Sequence, residues 1–206
     1  MENKYNITDY WDIRFNNFKV NDFRGVGNFS LSSEENKKEY EHAKEVFLNY
    51  INQIEDLDFS ELKVLDIGCG NGFYTNILKE HGVTNYTGID ITDAYFLEFK
   101  KQFPDYRFKK QDVRLEKIDE KYNCILILDV LQHIVEEDDF DSVLRNTKDA
   151  LTDGGFIVLT HDSINNFNSY HVRNRTKDYF YKIFKDYIFL ESVIYRDKCL
   201  TMCFKI

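Results

Sequence analysis

Gly68, Gly70 and Gly72 stand at alternate positions directly after the apolar residues Leu62, Val64, Leu65 and Ile67. That run reads as a short buried strand, and Phe73, Tyr74, Ile77 and Leu78 behind the glycines recur at helical spacing. A turn of bare backbone between a strand's C-terminal edge and a helix N-terminus makes a binding site of nucleotide size. The spacing argues against one nucleotide class and excludes another. A dinucleotide fingerprint needs a small residue where Phe73 stands, and no Gly-Lys-Ser/Thr follows to make a P-loop.

For such a turn to hold a ligand, a sheet must bring other strand ends beside it. The pattern predicts strands over 62–67, 85–90, 106–109, 124–128 and 156–160, separated by helices over 72–81, 93–102 and 138–151. His81–Gly82 supplies a C-cap, and Pro104 follows the second helix. A helix over 176–185 precedes strands near 187–195 and 198–205, whose junction at Arg196–Asp197 is too tight for a crossover and makes an antiparallel hairpin. Strands alternating with helices call for a mostly parallel sheet with helices on both faces. Upstream, Tyr40, Ala43, Val46, Phe47, Tyr50, Ile51 and Ile54 stripe a lead-in helix over 34–56, capped by Ser32 or Ser33. Residues 1–33 are aromatic and irregular, with an ordered loop at Phe23–Gly27. No repeat or linker divides the chain, so 1–206 reads as one domain, with a cap and lead-in helix to 58 and a core from 59.

A net charge of −9 over 206 residues argues against an electrostatic grip on nucleic acid. The four cysteines lack C-x-x-C pairing; Cys69 and Cys124 read as small buried fillers, and a reduced, cytoplasmic setting is expected. No apolar run reaches the about 18 residues of a membrane helix.

Taken in order, Asp66-x-Gly68-Cys69-Gly70-x-Gly72, the strand-ending Asp90, Gln111–Asp112–Val113, Asp129–Val130–Leu131–Gln132–His133–Ile134 and Leu151–Thr152–Asp153–Gly154–Gly155–Phe156 resemble the motifs of class I S-adenosylmethionine-dependent methyltransferases. The resemblance covers roughly residues 62–160. It implies a Rossmann-like α/β fold, with a seven-stranded, mostly parallel sheet, a C-terminal antiparallel hairpin and an N-terminal helical cap. It also implies S-adenosylmethionine as cofactor and S-adenosylhomocysteine as product. The implied cofactor site is Asp66, Gly68, Cys69, Gly70, Asn71, Gly72, Asp90, Ile91, Asp112, Val113 and Asp129. In that assignment the glycines pass along the methionine part, and Asp66 fixes the turn and attracts the ammonium. Asp90 accepts both ribose hydroxyls, Ile91 packs on the adenine and Asp112 accepts from its amino group. The Asp129–Ile134 motif resembles the version common among methyltransferases of small molecules.

The chain's single proline, Pro104, leaves out the Pro-bearing motifs of DNA methyltransferases. Glu136 and Glu137 fall near the position of the glutamate pair of protein-arginine enzymes, but read better as an acidic first helical turn. Asp129 and Asp162 partly match metal-dependent members; Ser163 breaks the pattern, and no metal is expected. The candidate substrate contacts are Tyr10, Arg14, Arg24, His133, Arg173 and Arg175, the last two in a lid segment over 161–180. Guanidiniums suit carboxylates and phosphates, so the group suggests a small anionic metabolite, as in surface-polysaccharide or natural-product modification. Solvated loop charges are the plainer alternative. The aromatic N-terminal region is similar to the cap of such enzymes, folding over the cofactor. Methylation of a hydroxyl needs a base, for which His133 comes first and His161 and His171 follow. Peptide N-methylation, a catalytically silent cofactor-binding module and, against Phe73, a nicotinamide oxidoreductase stay open. The expected partner is a small molecule, with neither nucleic acid nor membrane, acting on a monomer or homodimer.

Overall fold

The computed structural model describes residues 5–163 and 168–206. Strand β1 (Lys63–Ile67) lies mid-sheet, paired in parallel with β2 (Asn85–Asp90) on one side and β4 (Tyr122–Ile127) on the other. Outside them, β3 (Arg107–Lys110) adds to β2 and β5 (Leu151–His161) to β4, both in parallel. The chain thus reverses its direction of travel across the sheet beside β1, which opens a crevice at the C-terminal strand ends. Val64 and Leu65 point to opposite faces, and two apolar cores form there, one around Phe47, Leu78, Phe99 and Met202, the other around Ile125, Phe140, Leu144 and Leu159.

Helices α2 (Ser33–Ile51), α3 (Phe73–Glu80), α4 (Phe96–Gln102), α5 (Glu137–Ala150) and α6 (Lys177–Ile183) fall where periodicity places them, with ends displaced by a few residues. Ser32 is the N-cap of α2 and forms a capping box with Glu35. Residues 7–16, expected to be irregular, form helix α1 (Ile7–Asn16). Asn6 starts it by accepting the Thr8 and Asp9 N–H groups, while its apolar side is too short to show a period.

The expected C-terminal hairpin is present but subdivided. Strand β10 (Lys198–Lys205) runs antiparallel to β5, and both β8 (Tyr187–Phe189) and β9 (Val193–Tyr195) pair with its other edge. The sheet therefore has eight strands rather than seven, because the ladder breaks after Leu190, whose N–H still donates to Met202 O at 2.9 Å, and resumes at Val193. Tyr50 of α2 fills that gap. Its hydroxyl donates to Glu191 O at 2.9 Å and accepts the Met202 N–H at 3.0 Å. Strand β5 also starts earlier than expected, with Gly154 (φ 72°) absorbing a register shift against β4. Within 161–180, β6 (Asn168–Ser169) and β7 (Val172–Arg173) make a short ribbon, and residues 164–167 of that segment lie outside those described.

Removing the Tyr50 hydroxyl leaves two backbone groups in the sheet without their partner. Tyr50→Phe is expected to lower unfolding free energy by about 1–3 kcal/mol, read from urea denaturation at unchanged m-value. A loss under a few tenths would show that the sheet closes its own gap.

Candidate functional site

The glycine turn is bonded to the end of β2. Gly68 and Cys69 N–H groups both donate to Ile89 O, at 2.8 and 3.2 Å. The next carboxylate, Asp90, accepts the Gly70 N–H on Oδ2 at 3.0 Å and the Thr92 N–H on Oδ1 at 3.2 Å. No side-chain cation pairs with it among the described residues, and burial pushes its carboxyl up to about 6. Gly68, Gly70 and Gly72 all take left-handed φ (76°, 54° and 78°). A Cβ on Gly68 would overlap Val130 and one on Gly72 would press on the Phe99 ring, so these two serve the protein's own packing. Gly70 faces the cleft, with Val26 at 3.3 Å from where its Cβ would stand.

The cleft over this turn encloses about 900 Å³, part of it open to solvent. Its floor is Gly68–Asn71, Asp90, Ile91, Gln111–Arg114 and Leu128–Val130; its roof is Ile7, Trp11, Phe15, Val26 and Tyr40, with Phe73 and Tyr74. The roof is held by buried polar ties. Arg14 donates to Tyr10 Oη, Arg24 O and Gly27 O and lies 4.0 Å over the Phe29 ring. Asn36, fully buried, accepts the Asn28 N–H and donates to Asn28, Leu31 and Ser32 carbonyls. Tyr40 donates to Val26 O, and Tyr95 to Phe15 and Phe18 carbonyls.

Of the residues expected at a cofactor, Gly68, Cys69, Gly70, Asn71, Asp90, Ile91, Asp112, Val113 and Asp129 line the cleft. Gly72 does not, standing at the start of α3 against Phe99. Asp66 is likewise off the wall. It accepts the Tyr86 hydroxyl at 2.7 Å beneath the turn, and burial pushes its carboxyl up to about 7, so it braces the turn from below. Asp112 accepts from Arg114 through both oxygens, at 2.9 and 2.6 Å. Asp129, at φ 58°, accepts Arg196 Nη1 at 2.8 Å. Arg114 and Arg196 were not expected at the site; Arg114 directly follows Asp112–Val113, while nothing local marks Arg196.

His133 lines both the cleft and an adjoining cavity whose wall includes Tyr5, Asn6, Glu136 and Asp139. His171 O stands 3.2 Å from His133 Nδ1, which sets the Nδ1–H tautomer and leaves Nε2 with no partner among the described residues. Burial holds this imidazole's pKa well below the usual histidine range.

The remaining expectations fall elsewhere. His161 bonds Asp162 O, Ser192 and Thr201 between β5 and β10, and lines neither cavity. His171 stacks on Tyr10, outside the cleft wall. Arg24 pairs outward with Asp22 at 2.6 Å. Arg173 and Arg175 both pair with Glu137, and Arg175 also donates to Ile134 O at 2.8 Å. Arg14, Tyr10, Arg24, Arg173 and Arg175 thus hold the protein together rather than face the cleft; each guanidinium found a carboxylate or carbonyl of its own chain, the same chemistry that suits an anionic ligand.

A reversed parallel sheet with a glycine turn, a strand-ending acid and an aromatic roof defines a nucleoside-cofactor fold of the class I methyltransferase kind. Residues 65–157 match the family model described as a methyltransferase domain. A tRNA U34 carboxymethyltransferase of Ectopseudomonas mendocina is 30% identical over 109 residues, 50% of this chain and 33% of that protein. A ubiquinone biosynthesis O-methyltransferase of Nitrosomonas europaea is 28% identical over 120 residues, 55% of this chain and 48% of that one. The chain therefore spans between about a third and a half of the length of these relatives. The magnesium protoporphyrin IX methyltransferase of Synechocystis PCC 6803, solved with S-adenosylmethionine, shares the fold over 100% of both chains at TM-score 0.74 and 14% identity. Residues 65–157 are thus similar to a methyltransferase domain, within a fold shared with a solved methyltransferase that binds S-adenosylmethionine.

The raised Asp66 carboxyl has a consequence for stability. Its folded pKa lies above its unfolded one, so the folded state holds the extra proton between about pH 4 and 7 and stability falls as pH rises through that window. Asp66→Asn keeps an acceptor for Tyr86 and is expected to flatten that slope, gaining on the order of 2–4 kcal/mol at pH 8 relative to its effect at pH 4. Parallel pH-stability curves for the two proteins would count against it.

Proposed function

We propose that this chain is an S-adenosylmethionine-dependent methyltransferase acting on a small acceptor that carries no anionic group and has an aromatic or apolar body. The observation that carries the reading is the buried Asp90 carboxylate beside the bare backbone of Gly70, with the family match running through both. The residues fit the cofactor. Asp90 retains acceptor capacity suited to ribose hydroxyls, and Ile91 and Val113 offer apolar surface to a flat base. Asp112, fixed by Arg114, keeps lone pairs for an amino group. The cofactor, when bound, supplies a methyl group already activated on a positively charged sulfur. The protein's part is to orient an acceptor and keep water away. Trp11, Phe15 and Tyr40 serve that end by roofing the cleft.

An anionic acceptor, suggested by the arginines, loses its support. Every guanidinium that suggested it is engaged elsewhere, and the cleft wall carries Asp90, Asp112 and Asp129 against Arg114 and the Arg196 paired behind Asp129. A tRNA acceptor, suggested by one relative's name, sits badly with a net charge of −9. Since that relative and the ubiquinone enzyme are named for unlike acceptors, the shared half of the chain leaves the acceptor open.

His133 Nε2, bare at the junction of the two cavities, suits an acceptor's O–H or N–H. Because burial disfavours its imidazolium, the ring acts as a neutral hydrogen-bond acceptor that orients the group, and O- and N-methylation are both served.

Calorimetry with S-adenosylhomocysteine and with NAD tests the cofactor reading, and binding of NAD alone would make the chain an oxidoreductase. S-adenosylhomocysteine affinity is expected to fall as pH drops below about 6, because Asp90 then becomes protonated and loses acceptor strength. Asp90→Asn should weaken binding about 10- to 100-fold at pH 8 and abolish that pH dependence. A protein that binds S-adenosylhomocysteine but transfers no methyl to any acceptor would be the silent module instead.

His133→Ala is expected to lower kcat/KM by about 10- to 100-fold through lost orientation. The wild-type kcat profile should show no limb from this group between pH 5 and 8. A limb near 6.5 that His133→Gln removes would make it a titrating base.

A further inference from the structure

We propose that Asp129 receives the acceptor on the carboxylate oxygen that Arg196 leaves free, and that Arg196 is a positioning residue that holds the Asp129 carboxylate in place. The proposal rests on the methyltransferase reading above and assigns the acceptor side of the same cleft.

Asp129 stands at the C-terminal end of β4 on the cleft wall, next to the Val130 that packs under Gly68. Two backbone features hold it there. Its φ of 58° is left-handed, rare for a residue with a side chain, and its N–H donates to Thr160 Oγ1 at 2.8 Å. Its partner sits in a matching oddity. Arg196 takes φ 54° in the two-residue turn between β9 and β10, where glycine or asparagine is the easier choice. Turn geometry does not call for arginine at that point; the carboxylate 67 residues away does.

The pair is asymmetric. Asp129 Oδ2 takes both Arg196 Nη1 at 2.8 Å and Tyr195 Oη at 3.4 Å, and no described residue donates to Oδ1. Arg196 is itself pinned, 13% exposed, with its guanidinium 4.6 Å over the Tyr40 ring. Tyr195 is hydrogen-bonded to Tyr74, and Tyr40 and Tyr74 share the cleft wall with Asp129. Two phenol rings thus share the cleft wall with this carboxylate. Such a setting accepts an amine or hydroxyl on a flat apolar body. A carboxylate or phosphate placed there meets like charge, and no uncommitted arginine or lysine lines the cleft among the described residues.

The test uses three probes of one shape: tyramine, tyrosol and phloretate, which carry an ammonium, a hydroxyl and a carboxylate on the same phenol body. Each is titrated by NMR into the full chain saturated with S-adenosylhomocysteine. Tyramine and tyrosol are expected to bind at least about tenfold tighter than phloretate. Asp129→Asn, kept saturated with S-adenosylhomocysteine, should close that gap to about twofold. Arg196→Met, which strips the carboxylate of its counter-charge, should widen the gap between tyramine and phloretate, and Arg196→Lys, which keeps the charge, should hold it near the wild-type value, a rescue that mere loss of packing would not give. Phloretate binding as tightly as the others, no binding by any probe, a gap unchanged in Asp129→Asn, or a gap unchanged or narrowed in Arg196→Met overturns the proposal. The wild-type ranking decides even where a variant fails to fold. Failure of the wild type to bind S-adenosylhomocysteine would instead strike the methyltransferase reading, and is read separately.

Discussion

The hydrogen bond from Gly70 N–H to the buried Asp90 carboxylate is the contact on which the site is assembled. Parallel strands end with peptide groups that have no neighbour, and at the end of β2 those groups are taken up by the glycine turn following β1. The bond brings a charge-bearing group under the roof, where burial opposes its ionisation. The protein meets that opposition with backbone donors alone, the N–H groups of Gly70 and Thr92, rather than with a cation. A carboxylate so placed stays available to a ligand's hydroxyl groups, which a salt-bridged one would not be to the same degree.

Around this contact, the buried cations and amides of an acidic chain have been turned inward to build the roof. Arg14 is 7% exposed and ties α1 to the loop at residues 24–27, while Asn36 ties that loop to α2. The loop in turn brings Val26 to Gly70. Val26 of the roof thus comes up to the turn at Gly70, which lines the cleft. The roof's rigidity comes from hydrogen bonds behind the surface, leaving the inner face aromatic and free to pack on a ligand.

What was legible in the sequence was local. The run from Val64 to Leu78 spells strand, turn and helix within one neighbourhood, and Asp90 follows from the next strand end. What was not legible depended on partners far along the chain. Arg24, Arg173 and Arg175 read as ligand contacts because a guanidinium suits a carboxylate; in the fold, Asp22 and Glu137 are the carboxylates they meet. His161 looked reactive by type and is satisfied at both nitrogens. Helix α1 leaves no periodic signature because it has so little buried surface of its own, with Ile7, Arg14 and Phe15 inward, and depends on tertiary contacts that periodicity does not register.

The distribution of these parts along the chain separates two tasks. The match to the methyltransferase family ends at residue 157, after the turn, Asp90, Asp112 and Asp129 but before the hairpin that holds Arg196. The roof, at residues 5–40, also lies outside it. On the reading proposed above, the matched half sets the cofactor, and groups from both unmatched ends close on Asp129 and His133 to select the acceptor. An acidic residue at the end of β4 can then serve different acceptors as its partner changes, without disturbing the turn. Selection at Asp129 depends on a residue contributed by an antiparallel hairpin, whose turn can vary while β5 and β10 stay paired behind it.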